Sequence, residues 1–225
     1  MQQSNFLEWI FEAICKFFEP KPPLILPPAP TEDDDMVELT DGWPEFDGPL
    51  KRIPRNRKEM VEIYGAPNVT YSRKGVVRIS KEFAKRFHTV PADLLTGYHR
   101  RIYCHRDFSP YLREALRRAQ MVAPGYKFER VGCFSPRHMR HSKNMPLSDH
   151  TWGVAVDINA SRNRARYRKP TDPRPFEDAW YENGFSDLPE SVVLAFKSVG
   201  FSWGGDWGLG KRGGYHDPMH FSLRK

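Results

Sequence analysis

The chain has 225 residues, 39% hydrophobic and 28% charged, enough for one sizeable core plus an appendage. Its net charge of +7 hides a split: residues 1–48 hold 11 Asp/Glu against 2 Lys/Arg (net −9), and residues 49–225 hold 17 against 33 (net +16). No apolar run reaches the roughly 18 residues of a membrane span, 20 prolines argue against a helical bundle, and Cys15, Cys104 and Cys133, odd in number and without C-x-x-C spacing, fit reduced thiols rather than a disulfide framework.

NFLEWIFEAICKFF (5–18) predicts an amphipathic helix, because Glu8, Glu12 and Lys16 recur at every fourth position and leave a wide apolar face. It is too short to cross a bilayer, and neither its flank nor its glutamates suit a signal peptide. Two roles stay open for it: docking on its own domain or on a partner such as a delivery apparatus, or lying in a membrane interface. EPKPPLILPPAP (19–30) predicts a semi-rigid linker, and TEDDD (31–35) a solvated acidic run. The expected division is an appendage over 1–48 and a main domain over 49–225.

Three helices are expected in the main domain. NRKEMVEIYGAP carries Asn56 as N-cap, Glu59 three residues on, Gly65 as the stop and Pro67 beyond. SPYLREALRRAQ carries Ser109 as N-cap and Pro110 at the first helical position, with Leu112, Leu116 and Ala119 on one face. ESVVLAFKSVGF turns Val192, Val193, Phe196 and Val199 inward and ends at Gly200. Strands are expected within 75–79, 127–134, 153–159 and 220–223. Helices and strands do not alternate regularly, which reads as α+β. RNRARYRK (162–169) is expected to be a solvated basic loop, the alternative being a grip on an anionic wall or envelope.

The candidate chemistry lies in two stretches. In SDHTWGVAVDIN (148–159), strand parity puts Val154, Val156 and Ile158 on a core face, and Gly153, Ala155 and Asp157 on the other. A straight chain would hold His150 and Asp157 roughly 23 Å apart, so sharing an ion needs a reversal, for which Gly153 is the natural place. The C-terminal FSWGGDWGLGKRGGYHDPMHFSL (201–223) adds His220 at a strand start and Asp217 three residues before it. Two imidazoles and one carboxylate (His150, Asp157, His220) suit zinc with an open fourth position. Asp217 then serves as general base and acid. A cation is wanted for the developing oxyanion, with Arg137 the choice and Arg140 its competitor. His99, His105, His138, His141 and His216 show no standard ligand spacing and are read as structural or cleft-lining.

With these residues in view, S-x-H-x-x-G-x-A-x-D (Ser148, His150, Gly153, Ala155, Asp157), W-G-G-D-W (203–207) and D-P-M-H-F (217–221) together resemble the zinc D-Ala-D-Ala carboxypeptidases. That family takes in the vancomycin-resistance-type carboxypeptidases and the L-alanyl-D-glutamate endopeptidases of phage endolysins. The arginine of F-S-P-R (Arg137) resembles the family's transition-state arginine, and YCHRDFSPYLREALRRA (103–119) is similar to the helix start that precedes these motifs. The resemblance covers about 50–225. It implies zinc on His150, Asp157 and His220, Asp217 as acid/base, and a small α+β fold around an antiparallel sheet. Ser222 departs from the Glu or Gln that often follows His-Phe in the family.

The expected function is that of a zinc peptidase on peptidoglycan stem peptides, cutting either D-Ala-D-Ala or L-Ala-D-Glu, with peptidoglycan rather than nucleic acid as partner. The expected setting is cytoplasmic synthesis followed by action in the periplasm or wall, as a phage-type endolysin or a delivered effector. The competing reading is a zinc-stabilised wall- or partner-binding module, like the hedgehog signalling domain, against which Asp217 and Arg137 both speak.

Overall fold

The computed structural model describes residues 43, 45–90, 95, 100–168, 186–207 and 214–224. The expected N-terminal helix, linker and acidic run, together with His99, lie outside them.

Helix α1 (Arg57–Tyr64) starts and stops where its sequence dictates. The Asn56 side chain accepts the Glu59 N–H at 3.0 Å, and Gly65, at φ +92°, donates its N–H to the Val61 carbonyl. The Glu59 carboxylate turns outward to Arg55, accepting from its backbone N–H at 2.9 Å and from its guanidinium at 2.7 Å. Two short antiparallel pairs follow. Strands β1 (Thr70–Tyr71) and β2 (Val77–Arg78) form one; β3 (Phe87–Val90) and β4 (Ile102–His105) form the other, with α2 (Lys81–Ala84) between the two pairs.

Helix α3 (Ser109–Val122) begins one residue before its expected start. Phe108 takes the cap position without a side-chain bond, and Ser109 is already helical. The cause is packing. Phe108 is fully buried with its ring 5.5 Å from Phe201, and its N–H closes a turn on the His105 carbonyl, so the chain is already curling before the serine. Helix α4 (Glu190–Lys197) packs on α3, burying Val192, Val193, Phe196 and Val199 as its periodicity predicts. The helix ends at Lys197, and the turn that follows it closes at Gly200, whose φ is +100° and whose N–H donates to the Lys197 carbonyl.

The central sheet is antiparallel, in the order β5 (Val131–Gly132), β6 (Ala155–Ile158), β10 (His220–Ser222), β8 (Ser202–Trp203). With the four α-helices of the described residues, this is the α+β architecture expected. Val154, Val156, Ile158, Phe221 and Leu223 are all fully buried and tie the two middle strands to the core. Only two residues of the expected strand 127–134 pair in the ladder. Before them, Asn159, at φ +45°, accepts the Arg130 N–H at 3.0 Å and donates to the Lys127 carbonyl at 2.8 Å, taking over the ladder's hydrogen bonds.

The basic segment 162–169 is not simply a loop. Residues 166–168 form β7 (Arg166–Arg168), paired with β9 (Gly214–His216), and Tyr167 stands opposite Tyr215. A three-residue Arg-Tyr-Arg alternation is too short to announce itself, and a partner almost fifty residues away supplies the backbone hydrogen bonds.

Trp43 and Phe46 pack against the core ahead of residue 48. The Arg118 guanidinium sits 5.0 Å from the Trp43 ring centre, and the Phe46 ring meets Tyr111 edge-on at 5.2 Å. Deleting residues 1–48 is therefore expected to destabilise the domain by about 1–3 kcal/mol more than deleting 1–42, from lost apolar burial and ring contacts. Urea midpoints of the two truncations read this difference; equal midpoints would mean the two aromatics contribute nothing.

Candidate metal centre

Asp157 and His220 stand directly opposite each other on β6 and β10. Antiparallel partners have side chains on the same face of a sheet, within reach of one ion. His150 comes from a different element, the short 3-10 turn Asp149–Thr151, whose Ser148 cap accepts the His150 N–H. The chain then reverses at Gly153, at φ +64°, before entering β6. A Cβ there would lie 2.4 Å from Phe87 and 3.0 Å from the His105 nitrogen, so both the conformation and the space require glycine.

The three side chains converge. His150 Nε2 lies 3.0 Å from Asp157 Oδ1 and 3.2 Å from His220 Nδ1, and His220 Nδ1 lies 3.1 Å from the same oxygen. Donors about 2.0–2.1 Å from a tetrahedral ion stand roughly 3.3 Å apart, so this triangle needs little change to hold zinc. The tautomer also fits. His150 Nδ1 is 2.6 Å from the Cys133 carbonyl, which can only accept, so Nδ1 carries the proton and Nε2 offers a lone pair to the centre.

Asp157 is drawn in opposite directions. Burial pushes its carboxyl up, but in the metal-free protein His150 and His220, when protonated toward it, outweigh this and hold it well below the usual carboxylate range. Burial alone would make His220 harder to protonate; Asp157 reverses this and raises it. A carboxylate kept ionised beside two imidazoles is the donor chemistry of a cation site.

Asp217 lines the same ≈ 440 Å³ cavity as these three residues. Its Oδ1 is buried and has no hydrogen-bond partner among the described residues. Burial is the main reason its carboxyl is pushed up to about 6; Asp157 adds to this, while His220 and Arg137 pull the other way. The W-G-G segment holds it in place. Trp203 Nε1 donates to the Pro218 carbonyl at 2.7 Å, and the Asp217 N–H donates to the Gly204 carbonyl at 2.9 Å. A Cβ on Gly204 would lie 2.4 Å from the Asp217 carbonyl oxygen and 3.1 Å from His220 Cβ. Gly204→Ala is thus expected to cost about 1–3 kcal/mol of stability and to weaken zinc binding, as read by urea unfolding and by competition with a chelating dye. An unchanged dye competition would show that the turn is not held through this contact.

Arg137 and Arg140 both face the cavity. Arg137 Nη2 is 3.8 Å from Asp157 Oδ2, whereas Arg140 lies over the Tyr215 ring at 4.9 Å. Trp207, 5.1 Å from the His220 ring, and Tyr215 complete the rim.

Among the histidines read as structural, His105 is buried and hydrogen-bonded to the Tyr64 carbonyl, and His216 Nδ1 lies 3.2 Å from the Gly205 carbonyl. His138 contacts the Tyr71 hydroxyl and the Met145 carbonyl, while His141 lines the cavity. Ser222 lies 3.2 Å from the Ser202 hydroxyl, across the neighbouring strand.

One group escaped the sequence reading. Asp149, next to His150 and 4% exposed, receives the Arg57 guanidinium and Arg224 Nε, the latter at 2.9 Å. This pins the turn bearing His150 to both ends of the domain. The adjacent acid was visible in S-D-H, but its partners are 92 and 75 residues away.

Residues 141–223 match the family model described as D-alanyl-D-alanine carboxypeptidase. The matched segment contains His150, Asp157, Asp217 and His220, while Arg137 and Arg140 precede it. Comparison with the curated proteins and with the solved structures returned no match.

Proposed function

We propose, from a chain whose residues 141–223 match the D-alanyl-D-alanine carboxypeptidase family, that this protein is a zinc-dependent peptidase of peptidoglycan stem peptides. The observation that carries the reading is the convergence of His150, Asp157 and His220 beside Asp217, whose buried Oδ1 has no hydrogen-bond partner among the described residues.

His150 Nε2, Asp157 Oδ1 and His220 Nδ1 would hold the ion, with the Cys133 carbonyl fixing the His150 tautomer. Zinc, when bound there, would supply a Lewis acid that polarises a peptide carbonyl and makes a water more acidic. Asp217 takes the proton of that water and returns it to the leaving amine. Its low-polarity surroundings, which lift it to about 6, match it to proton transfer near neutral pH. Arg137 faces the developing oxyanion with a fixed positive charge. Trp207 and Tyr215 line the cavity rim with apolar ring surface.

The reading extends to a wall-degrading enzyme of the phage-endolysin or delivered-effector type, made in the cytoplasm and acting in the periplasm or wall. Its support is the net +16 of residues 49–225, which favours an anionic envelope. Mass spectrometry of muropeptides digested with and without chelator tests it. Chelator-sensitive release of D-alanine, or cleavage between L-Ala and D-Glu, is expected; an undigested wall in the presence of zinc would sink the reading in favour of a binding module.

A further inference from the structure

Beside the catalytic cavity lies a second, open recess of ≈ 620 Å³ that this mechanism does not use. The β1–β2 hairpin forms one wall and the segment 135–143 the other; Arg137 and His141 line both cavities, so one ligand could run continuously between them. The recess is one-sided in charge: Arg73, Lys74, Arg137 and Lys143 line it with His138 and His141, and no carboxylate among the described residues does.

The walls are built rather than loosely apposed. Tyr71 stacks on His138, with ring centres 5.9 Å apart and planes within 11°, and its hydroxyl lies 2.9 Å from His138 Nε2. His138 Nδ1 lies 2.5 Å from the Met145 carbonyl, which can only accept; Nδ1 therefore donates and Nε2 accepts the Tyr71 hydroxyl. Lys143 Nζ stands 5.8 Å from the Tyr71 ring centre, and the turn at Gly75, at φ +77°, brings the lysine within 3.3 Å of where a Cβ would be. The glycine thus lets an ammonium lie against the hairpin at the mouth of the recess.

We propose that this recess is a subsite for the glutamyl α-carboxylate of the stem peptide, reached past Arg137, and that Lys74 and Lys143 give the enzyme a preference for peptides in which that carboxyl is free rather than amidated. The proposal rests on the peptidase reading and deepens it. Charge-assisted hydrogen bonds from two ammonium groups in a shaped recess favour a carboxylate over its uncharged amide.

The test uses the full chain and two synthetic stem peptides, L-Ala-D-Glu-L-Lys-D-Ala-D-Ala, with the glutamyl α-carboxyl either free or amidated. Binding is read calorimetrically on Asp217→Asn protein, and kcat/KM on the unsubstituted enzyme. The free acid is expected to be favoured by about five- to tenfold in both, and Lys74→Ala with Lys143→Ala to bring the ratio to within about twofold of one. Equal affinity for the two peptides, or a preference that survives the double substitution, overturns the subsite. Loss of poly(ribitol phosphate) binding in the double variant, with the peptides bound alike, overturns it in favour of polymer docking. Carboxylate-dependent binding without hydrolysis of either peptide upholds the subsite and sinks the peptidase reading instead; hydrolysis of both without preference does the reverse.

Discussion

Asp217→Asn is expected to lower kcat/KM on a stem peptide by about 10²–10⁴ while leaving zinc content unchanged. The side chain faces the cavity that holds His150, Asp157 and His220 but is not one of the three converging donors, so its loss removes a proton carrier and not an ion site. The same substitution separates function from stability through the direction of the pKa shift. Burial raises the Asp217 carboxyl to about 6, above its unfolded value near 4. A raised pKa means that the folded state binds the proton more tightly. Its contribution to stability is therefore fully present below about pH 4 and is lost as pH rises through 6. Asparagine is neutral throughout, so metal-free Asp217→Asn is expected to match the unsubstituted protein near pH 4 and to exceed it at pH 8 by up to about 3 kcal/mol. Activity runs the opposite way: a base must be unprotonated, so the rate is expected to fall as pH drops through about 6, and bound zinc, by its charge, moves that limb lower. Urea unfolding at the two pH values and a kcat/KM profile check both. A variant that is inactive and also less stable at pH 8 would instead make Asp217 a structural residue.

Removal of zinc is the second large effect. Chelation is expected to abolish hydrolysis, and re-addition of zinc to restore it. Because His150, Asp157 and His220, which could hold the ion, sit on the two central strands and on a turn bridging to α1, zinc is expected to stabilise the fold as well, by about 2.7 kcal/mol at a free concentration one hundred times Kd. For a chain of this size that corresponds to roughly 5–10 °C in Tm. Asp157→Ala is expected to erase the zinc-dependent part of the melt, because it leaves two imidazoles that cannot close the site alone. Calorimetric melts with and without zinc read both; a zinc-dependent rise retained in Asp157→Ala would show that the ion is held elsewhere.

How far the sequence carried the reading depends on distance along the chain. The α1 cap at Asn56 and the stops at Gly65 and Gly200 were legible because each is a local conformational demand met within a few residues. The inward face of α4 was legible because its apolar spacing repeats every turn. Strand parity likewise put Val154, Val156 and Ile158 on the core face, and all three are buried. The start of α3 was displaced because Phe108 answers to the core around Phe201 and not to its neighbour Ser109.

The sequence by itself determined residue chemistry and local geometry: which side chains can donate to a metal, where the chain must reverse at Gly153, and which strand face is apolar. Only the tertiary structure decided what those groups meet. It set His220 opposite Asp157, joined Asp149 to Arg57 and Arg224, turned residues 166–168 into a strand against 214–216, and laid Lys143 against the β1–β2 hairpin beside Arg137. Each of these depends on two segments tens of residues apart coming together. Such pairings follow from how the whole core packs, which no local pattern encodes.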